Sequence, residues 1–133
     1  MPRLLGHAPI LLVRDLAPSI AFYRDGLGFA DVRQWGDPPD SAIATRDDLR
    51  LMLASVDAAA AGRLVPHWRI RDQTANVHFW TDDALALCDE FTGRGVPLDF
   101  GPCVQPWNCR EFGVQDPDGH DVVFGQDLGV AEA

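Results

Sequence analysis

The sequence has no long apolar run and no excess of positive charge, and each absence excludes a class of protein. No window approaches the about 18 consecutive apolar residues of a membrane-spanning helix, and residues 1–6 are too short for a signal peptide. The 133 residues carry 11 Lys and Arg against 20 Asp and Glu, a net charge of −9. This charge repels nucleic-acid phosphates and anionic lipid. We therefore expect no nucleic-acid partner and no membrane partner, and the charge favours a cationic small molecule.

Cysteine is also scarce. The three cysteines are odd in number and lack the close paired spacing of a zinc knuckle: Cys88, Cys103 and Cys109. Reduced thiols are the simpler interpretation, which predicts a cytoplasmic protein.

Familiar catalytic motifs are missing as well. No serine lies in a nucleophile elbow, no glycine loop resembles a phosphate-binding loop, and the carboxylates are dispersed among turns and helix caps. None of the four histidines has the local spacing of a helical zinc motif. We interpret His67 and His120 as connector and turn residues. Because these motifs are absent, the sequence predicts no catalytic residue, no metal and no cofactor.

The sequence does contain enough apolar residues, 47%, for one compact domain over residues 1–133. Asp15 and Pro18 predict the start of a helix that runs to about Gly26. Its apolar stripe is formed by Leu16, Ile20, Tyr23 and Leu27. The predicted strands are 8–13, 30–35, 41–45 and 49–55 in the first half, and 75–80, 96–100, 110–115 and 120–126 in the second.

An internal repeat joins these elements. Three residues that mark the start and the end of the helix recur at one constant offset of 67 residues: Asp15, Gly26 and Gly28 match Asp82, Gly93 and Gly95. We interpret this as a duplication, with module one at about 6–56, a connector at 57–74 and module two at about 75–127. The predicted fold class is α+β, with two tandem βαβββ modules that form a curved, cup-shaped mixed sheet. A cup of this kind is a natural ligand site.

Four segments resemble the glyoxalase, bleomycin-resistance and extradiol dioxygenase superfamily, also called the vicinal oxygen chelate superfamily. They are residues 12–16 (LVRDL), 22–29 (FYRDGLGF), 106–112 (PWNCREF) and 116–120 (DPDGH). The second-module motif is most similar to the bleomycin-resistance proteins, although Asn108 stands where those proteins usually have glycine. The likeness covers nearly the whole chain and implies the two-module fold.

The resemblance also implies where a divalent metal would be held. The first ligand position falls on Ala8, with His7 beside it facing the other way. The third falls on Asn76 or Ala75, and the fourth on Val123. The remaining position lies within 49–55, which offers no hard oxygen or imidazole ligand. We therefore expect the metal site of the family to be absent.

The ligand-contacting residues are predicted around the cup. Trp107 lies in the loop that resembles the ligand-contacting loop of the bleomycin-resistance proteins, where an indole stacks on flat rings. Trp35 is a candidate for the opposite lip, although a local packing role is equally consistent with its position. His78 and Asn76 share a strand face, and we assign Arg110 as a further ligand-contacting residue. Trp80 is interpreted as core, and Trp68 as covering a domain edge or a second subunit.

Arg110 and Glu111 are neighbours on one predicted strand, so their side chains point to opposite faces. At most one of them points into the cup, and the sequence does not decide which.

The functional hypothesis is a metal-free, bleomycin-resistance-like binding protein. It would sequester a bulky cationic and aromatic antibiotic of the bleomycin type, as a homodimer. One alternative is a metal-dependent glyoxalase-type or dioxygenase-type lyase or isomerase, with ligands displaced to positions such as His7 and His78. Another is a non-catalytic regulatory or assembly domain. The first alternative predicts bound metal, and the second predicts neither metal nor tight drug binding.

Overall fold

The computed structural model describes residues 1–72 and 74–129. The chain divides into two compact units, Met1–Leu64 and Val65–Ala133, and the division falls inside the predicted connector. Residue 73 of that connector and residues 130–133 of the predicted domain lie outside the described residues. The one-domain organisation and the module bounds stay predictions. Each unit is built around its own four-stranded mixed sheet, which confirms the α+β class with two modules.

The first unit follows the predicted order of one strand, one helix and three strands. Its elements are β1 (Ile10–Val13), α1 (Leu16–Ala21) with a wider helical turn at Phe22–Gly26, β2 (Asp31–Trp35), β3 (Ser41–Arg46), β4 (Leu49–Ser55) and α2 (Ala58–Ala61). The strand order is β1-β4-β3-β2. Strands β1 and β4 are parallel, whereas the other neighbours are antiparallel.

The core of the first unit lies between the helix and one face of the sheet. All four residues of the predicted stripe, Leu16, Ile20, Tyr23 and Leu27, are buried. The sheet supplies buried side chains at alternate positions of β4, Leu51 and Leu53, as a half-covered strand should. The helical periodicity in the sequence therefore predicted this packing correctly.

The second unit repeats the pattern. Its elements are a short 3₁₀ turn (His67–Arg69), β5 (Val77–Trp80), α3 (Ala84–Gly93), β6 (Phe100–Val104), β7 (Cys109–Gln115) and β8 (Asp121–Asp127). The strand order is β5-β8-β7-β6, and β5 is parallel to β8. The side chain of Asp83 caps α3 by accepting a 3.0 Å hydrogen bond from the Ala86 amide, as expected for aspartate at this position.

Aromatic rings fill the core between α3 and its sheet. The ring of Phe91 on α3 lies 5.9 Å from that of Phe112 on β7 and 5.0 Å from that of Phe124 on β8. Phe79 of β5 stacks on Phe124 at 5.5 Å. Helix α3 therefore covers one face of this sheet. The side chains at the intervening strand positions lie on the other face.

The strand expected at 96–100 is shifted in the structure, where β6 spans Phe100–Val104. Val96 is buried, but its amide bonds to the carbonyl of Phe91 at 3.1 Å, and Gly95 before it has φ +86. Val96 therefore closes the end of α3 as the apolar residue of a helix cap. Its burial comes from the cap and not from a strand.

The connector carries two short helical turns, α2 and the 3₁₀ turn. The side chain of Asp57 supports the first turn by accepting a 2.7 Å hydrogen bond from the Ala60 amide. The indole of Trp68 in the second turn donates a 2.8 Å hydrogen bond to the carbonyl of Gly119. Trp68 therefore packs on the β7–β8 turn of its own unit.

The β7–β8 turn has the predicted chemistry. The carboxylate of Asp116 accepts from the amides of Asp118 and His120, both at 2.9 Å, and Gly119 takes a positive φ of +81. His120 lies in this turn, as interpreted from the sequence, and is buried, at 4% exposure. The chain enters β8 directly after His120.

Candidate functional site

Polar and aromatic side chains lie on the face of the second sheet that points away from α3. Phe112 and Phe124 occupy the helix-covered face, so strand alternation places Glu111 of β7 and Gly125 of β8 on the other face. These two residues are direct partners in the ladder. His78 and Trp80 of β5 lie on the same face, with Trp80 paired to Gly125.

Glu111 is the centre of this group. The residue is 6% exposed, and one carboxylate oxygen, Oε2, lies 3.2 Å from Nε2 of His78 and 3.2 Å from Nε1 of Trp107. An indole nitrogen only donates, so the carboxylate accepts from Trp107. When Glu111 is ionised it has no proton to give, and Nε2 of His78 must then carry the proton that it shares. We call His78, Trp80, Trp107 and Glu111 the carboxylate cluster.

Glycine makes room for the imidazole. A β-carbon at Gly125 would lie 2.8 Å from Cε1 and 2.9 Å from Nε2 of His78. The imidazole also lies against the indole of Trp80, with ring centroids 4.5 Å apart. His78 therefore packs between the backbone of β8 at Gly125 and the indole of Trp80, and its Nε2 is directed to Glu111.

Two of the cluster's aromatic rings are open to solvent. Trp107 is 56% exposed and Trp80 is 60% exposed. Large exposed indoles beside a buried carboxylate give an apolar surface with a polar centre, the composition typical of small-molecule sites. The cluster can hold a flat ring by stacking and a hydrogen-bond donor by charge.

The loop that carries Trp107 is fixed by its own backbone. Asn108 has φ +62, the left-handed conformation in which glycine and asparagine are the least strained residues. Its carbonyl accepts a 3.0 Å hydrogen bond from the Leu128 amide, and its side-chain amide donates to the carbonyl of Gly129. Asparagine therefore supplies both the backbone conformation and a side-chain bond at the position where the resemblance has glycine.

A second carboxylate, that of Asp127, lies on the same sheet face as the cluster. Burial raises the pKa of the Cys109 thiol, and the carboxylates of Asp127 and Glu111 raise it further. Cys109 is paired with Asp127 across the ladder, on the face of Glu111. Within residues 65–72 and 74–129, no arginine forms a salt bridge with Glu111. A cation brought to this face would meet carboxylates that no arginine of the described second unit neutralises.

The structure places Arg110 away from the carboxylate cluster. Alternation along β7 places Arg110 on the face of Phe112, opposite to His78 and Glu111. The choice that the sequence left open is decided by register, and Glu111 is the member of the pair that joins the cluster.

Asn76 lies just before β5, and its side chain is bonded to the connector. Its side-chain oxygen accepts a 3.2 Å hydrogen bond from the amide of His67. The imidazole of His67 in turn lies 3.1 Å from the carbonyl of Ala75. The Asn76 side chain therefore fastens the connector to the sheet and does not join the carboxylate cluster.

Trp35 belongs to the first unit. It ends β2, its carbonyl accepts a 2.9 Å hydrogen bond from the Asp40 amide across the following turn, and its side chain is about half exposed. Its role as a lip of the ligand site stays a prediction.

The sequence interpretation missed two residues of the cluster. Trp80 was assigned to the core, but it lies on the edge strand β5 and is 60% exposed. Glu111 was an undecided candidate, although a glutamate beside phenylalanine in a strand was the available signal. The helix-facing role of Phe112 assigns Glu111 to the other face.

The positions that hold metal in the resembling family do not fit a divalent ion here. Val123 has no ligating atom, and the Asn76 oxygen is bonded to the connector. In the described part of the chain, no group of three or more His, Cys, Asp or Glu side chains could hold a metal ion. Among the same residues, no helix is long and apolar enough to cross a membrane.

Two βαβββ modules, each with its own four-stranded mixed sheet, define the glyoxalase-like fold. The family model for the Glyoxalase/Bleomycin resistance protein/Dioxygenase superfamily matches residues 4–124, and the chain belongs to this superfamily. No protein with a curated description matches the chain.

Solved structures similar to this chain include both binding proteins and an enzyme. The bleomycin-binding protein of bleomycin-producing Streptomyces verticillus, complexed with copper(II)-bleomycin, is 26% identical, with 98% of this chain and 100% of that chain covered and a TM-score of 0.65. The antibiotic binding protein TnmS3 of Streptomyces sp. CB03234 is 24% identical, with 95% and 99% covered and a TM-score of 0.66. Lactoylglutathione lyase of Agrobacterium tumefaciens is 20% identical, with 94% and 95% covered and a TM-score of 0.64. The last two likenesses concern the fold alone.

Proposed function

We propose that this chain is a small-molecule-binding protein of the bleomycin-resistance type. It sequesters a bulky, cationic and aromatic antibiotic by stoichiometric binding, without a metal. The observation that carries the proposal is the carboxylate cluster, in which the buried acid Glu111 accepts from the exposed indole of Trp107 and from His78. A flat cationic molecule matches both the rings and the charge.

Two further facts support this ligand class. The net charge of −9 attracts cations over long range and steers them toward the protein, an effect that weakens with salt. The bleomycin-binding protein that the chain resembles over nearly its whole length was crystallised with copper(II)-bleomycin. Bleomycin-type antibiotics are therefore the first ligands to test.

A homodimer in the cytoplasm is part of the same proposal. Exposed apolar side chains at the two edges of the second sheet form surface that a second subunit can cover. Trp80 on the edge strand β5 and Val104 on the opposite edge strand β6 are more than half exposed, on opposite faces of the sheet.

The alternative with an observation in its favour is a metal-dependent enzyme. The imidazole of His78 and the carboxylate of Glu111 lie 3.2 Å apart, and both groups are common metal ligands. This alternative predicts one tightly held divalent ion per chain, with ligands such as His78 and His7.

One experiment separates the two hypotheses. The purified protein is analysed for metals and titrated with metal-free and copper-loaded bleomycin, with tryptophan fluorescence as the signal, in wild type and in Trp107→Phe. We expect micromolar or tighter binding without stoichiometric metal, and a smaller fluorescence change in the variant. Stoichiometric metal together with no antibiotic binding would overturn the proposal and support the enzyme.

A further inference from the structure

In the carboxylate cluster, only one of the two carboxylate oxygens of Glu111 accepts hydrogen bonds from described residues. Both hydrogen bonds that Glu111 accepts within the described residues go to Oε2, from His78 and from Trp107, and none goes to Oε1. A carboxylate offers about four acceptor positions on its two oxygens. Glu111 is 6% exposed, yet Oε1 is not among the fully buried unpaired atoms of the described residues, so this oxygen can still be reached by a donor from outside the protein.

The groups around Glu111 determine which kind of ligand atom would compensate it. Asp127 lies on the same face, and neither it nor Glu111 is paired with an arginine of the described second unit. A ligand that offers only acceptors would be repelled here, whereas a charged N–H donor gains both a hydrogen bond and a charge interaction. The indole of Trp107 is bonded to the same carboxylate and the indole of Trp80 lies against His78, and these two exposed rings suit the flat part of the same ligand.

We propose that Glu111 is a specificity-determining residue. It selects ligands that bring a planar or compact N–H cation, such as an amidinium, guanidinium or ammonium group, to Oε1 beside a flat ring. His78 and Trp107 are positioning residues that hold the acid through Oε2. This inference rests on the proposed binding function and deepens it, because it names the ligand group that the site recognises.

The test uses two probes that share a fused ring and differ in charge. 2-Naphthamidine carries an amidinium, whereas 2-naphthamide carries a neutral amide of nearly the same shape. We expect wild type to bind the amidine about tenfold or more tightly than the amide, the size typical of one charge-assisted hydrogen bond. In Glu111→Gln the acceptor oxygen for Trp107 remains and the charge is lost, so the preference should fall to near unity with little change for the amide.

Glu90→Gln is the matched control. Glu90 lies on α3 and pairs with Arg94 at 2.8 Å on the helix surface, so its substitution changes the net charge equally without touching the sheet face. The amidine preference should survive in this variant. A preference that persists in Glu111→Gln, or that vanishes equally in Glu90→Gln, would overturn the inference.

A second measurement needs no variant at Glu111. The sequence has three glutamates, Glu90, Glu111 and Glu132, so carbon-13 labelling of glutamate carboxyl groups gives three signals, and Glu90→Gln and Glu132→Gln assign the third by elimination. The signal of Glu111 should shift on addition of 2-naphthamidine and stay in place with 2-naphthamide. Equal responses to the two probes would contradict the inference.

Failure of the proposed function looks different. If wild type binds neither form of bleomycin but keeps its amidine preference, sequestration of that antibiotic class is wrong and the role of Glu111 stands. If it binds bleomycin and binds both naphthyl probes equally, the proposed function stands and the selectivity of Glu111 is wrong.

Discussion

The imidazole of His78 lies over Gly125, where a β-carbon would approach Nε2 to 2.9 Å. The two residues belong to neighbouring parallel strands, so the absence of a side chain on β8 is what lets the ring reach Glu111 on β7. The hydrogen bond between His78 and Glu111 thus depends on a residue that forms no hydrogen bond with either side chain.

Gly125→Ala should therefore displace the imidazole and break its bond to Glu111. We expect a loss of stability of about 1–3 kcal/mol from overpacking and clearly weaker antibiotic binding, measured by urea unfolding and fluorescence titration. Gly93→Ala is the control, because nothing lies within 4 Å of a β-carbon there and the residue ends α3. That variant should be neutral or stabilised by up to about 1 kcal/mol. Equal effects of the two substitutions would contradict the packing argument.

His78→Phe tests the hydrogen bond apart from the ring. Phenylalanine keeps an aromatic ring beside Trp80 but leaves the buried Glu111 with a single donor. We expect a loss of about 1–3 kcal/mol of unfolding free energy. The loss should be smaller in the background of Glu111→Gln, since an amide is less costly to leave unpaired than a charge. Additive effects in this double-mutant cycle would show that the two side chains do not interact.

The three thiols should differ in reactivity. Burial raises the pKa of both Cys88 and Cys109, which lowers the fraction of thiolate, whereas Cys103 is exposed. We expect a disulfide reagent to modify one thiol quickly in the folded protein and all three in denaturant, with the fast phase lost in Cys103→Ser. A fast phase that corresponds to two or three thiols would be inconsistent with this placement.

The stability of the second unit should fall as a buried acid ionises. Burial raises the pKa of Asp121, and the nearby Asp99 and Asp116 carboxylates also raise it, against the hydrogen bond from Gln115. The folded state then holds the proton more tightly than the unfolded chain. The contribution of Asp121 is therefore present at low pH and is lost as the pH rises through the raised pKa.

The substitution Asp121→Asn should remove this dependence. Its stability relative to wild type should increase from about pH 4 to pH 7, as measured by urea unfolding across that range. Asp89→Asn on the exposed surface of α3 is the control and should show no such trend. A constant difference between Asp121→Asn and wild type would contradict the raised pKa.

Much of the fold could be predicted because local patterns and the tertiary structure agree. The stripe of Leu16, Ile20, Tyr23 and Leu27 has one period and one buried face, and the offset of 67 residues transfers that architecture to the second half. Where a residue serves a different local purpose, the pattern misled. Val96 is apolar because it caps α3, and the position of β6 was misplaced as a result.

The candidate site was less accessible from the sequence. Trp107 could be proposed from its loop motif, whereas the choice between Arg110 and Glu111 depends on which face of β7 meets the helix. A one-residue change of register exchanges the two faces, and Arg110 and Glu111 do not themselves set that register. The available signal was the neighbouring Phe112, whose ring packs against Phe91 of α3. Trp80 was misassigned because an indole in a strand has the same pattern whether its face is covered or open.

The hydrogen bonds of Asn108 connect the Trp107 loop to the residues that follow β8. Its carbonyl receives the Leu128 amide and its side chain holds Gly129, two residues past the last strand. A chain cut after Asp127 would keep every strand of the sheet, yet it would release the loop that aims the indole. Removal of Leu128 and Gly129 is therefore expected to loosen the Trp107 loop even though both residues lie outside the sheet.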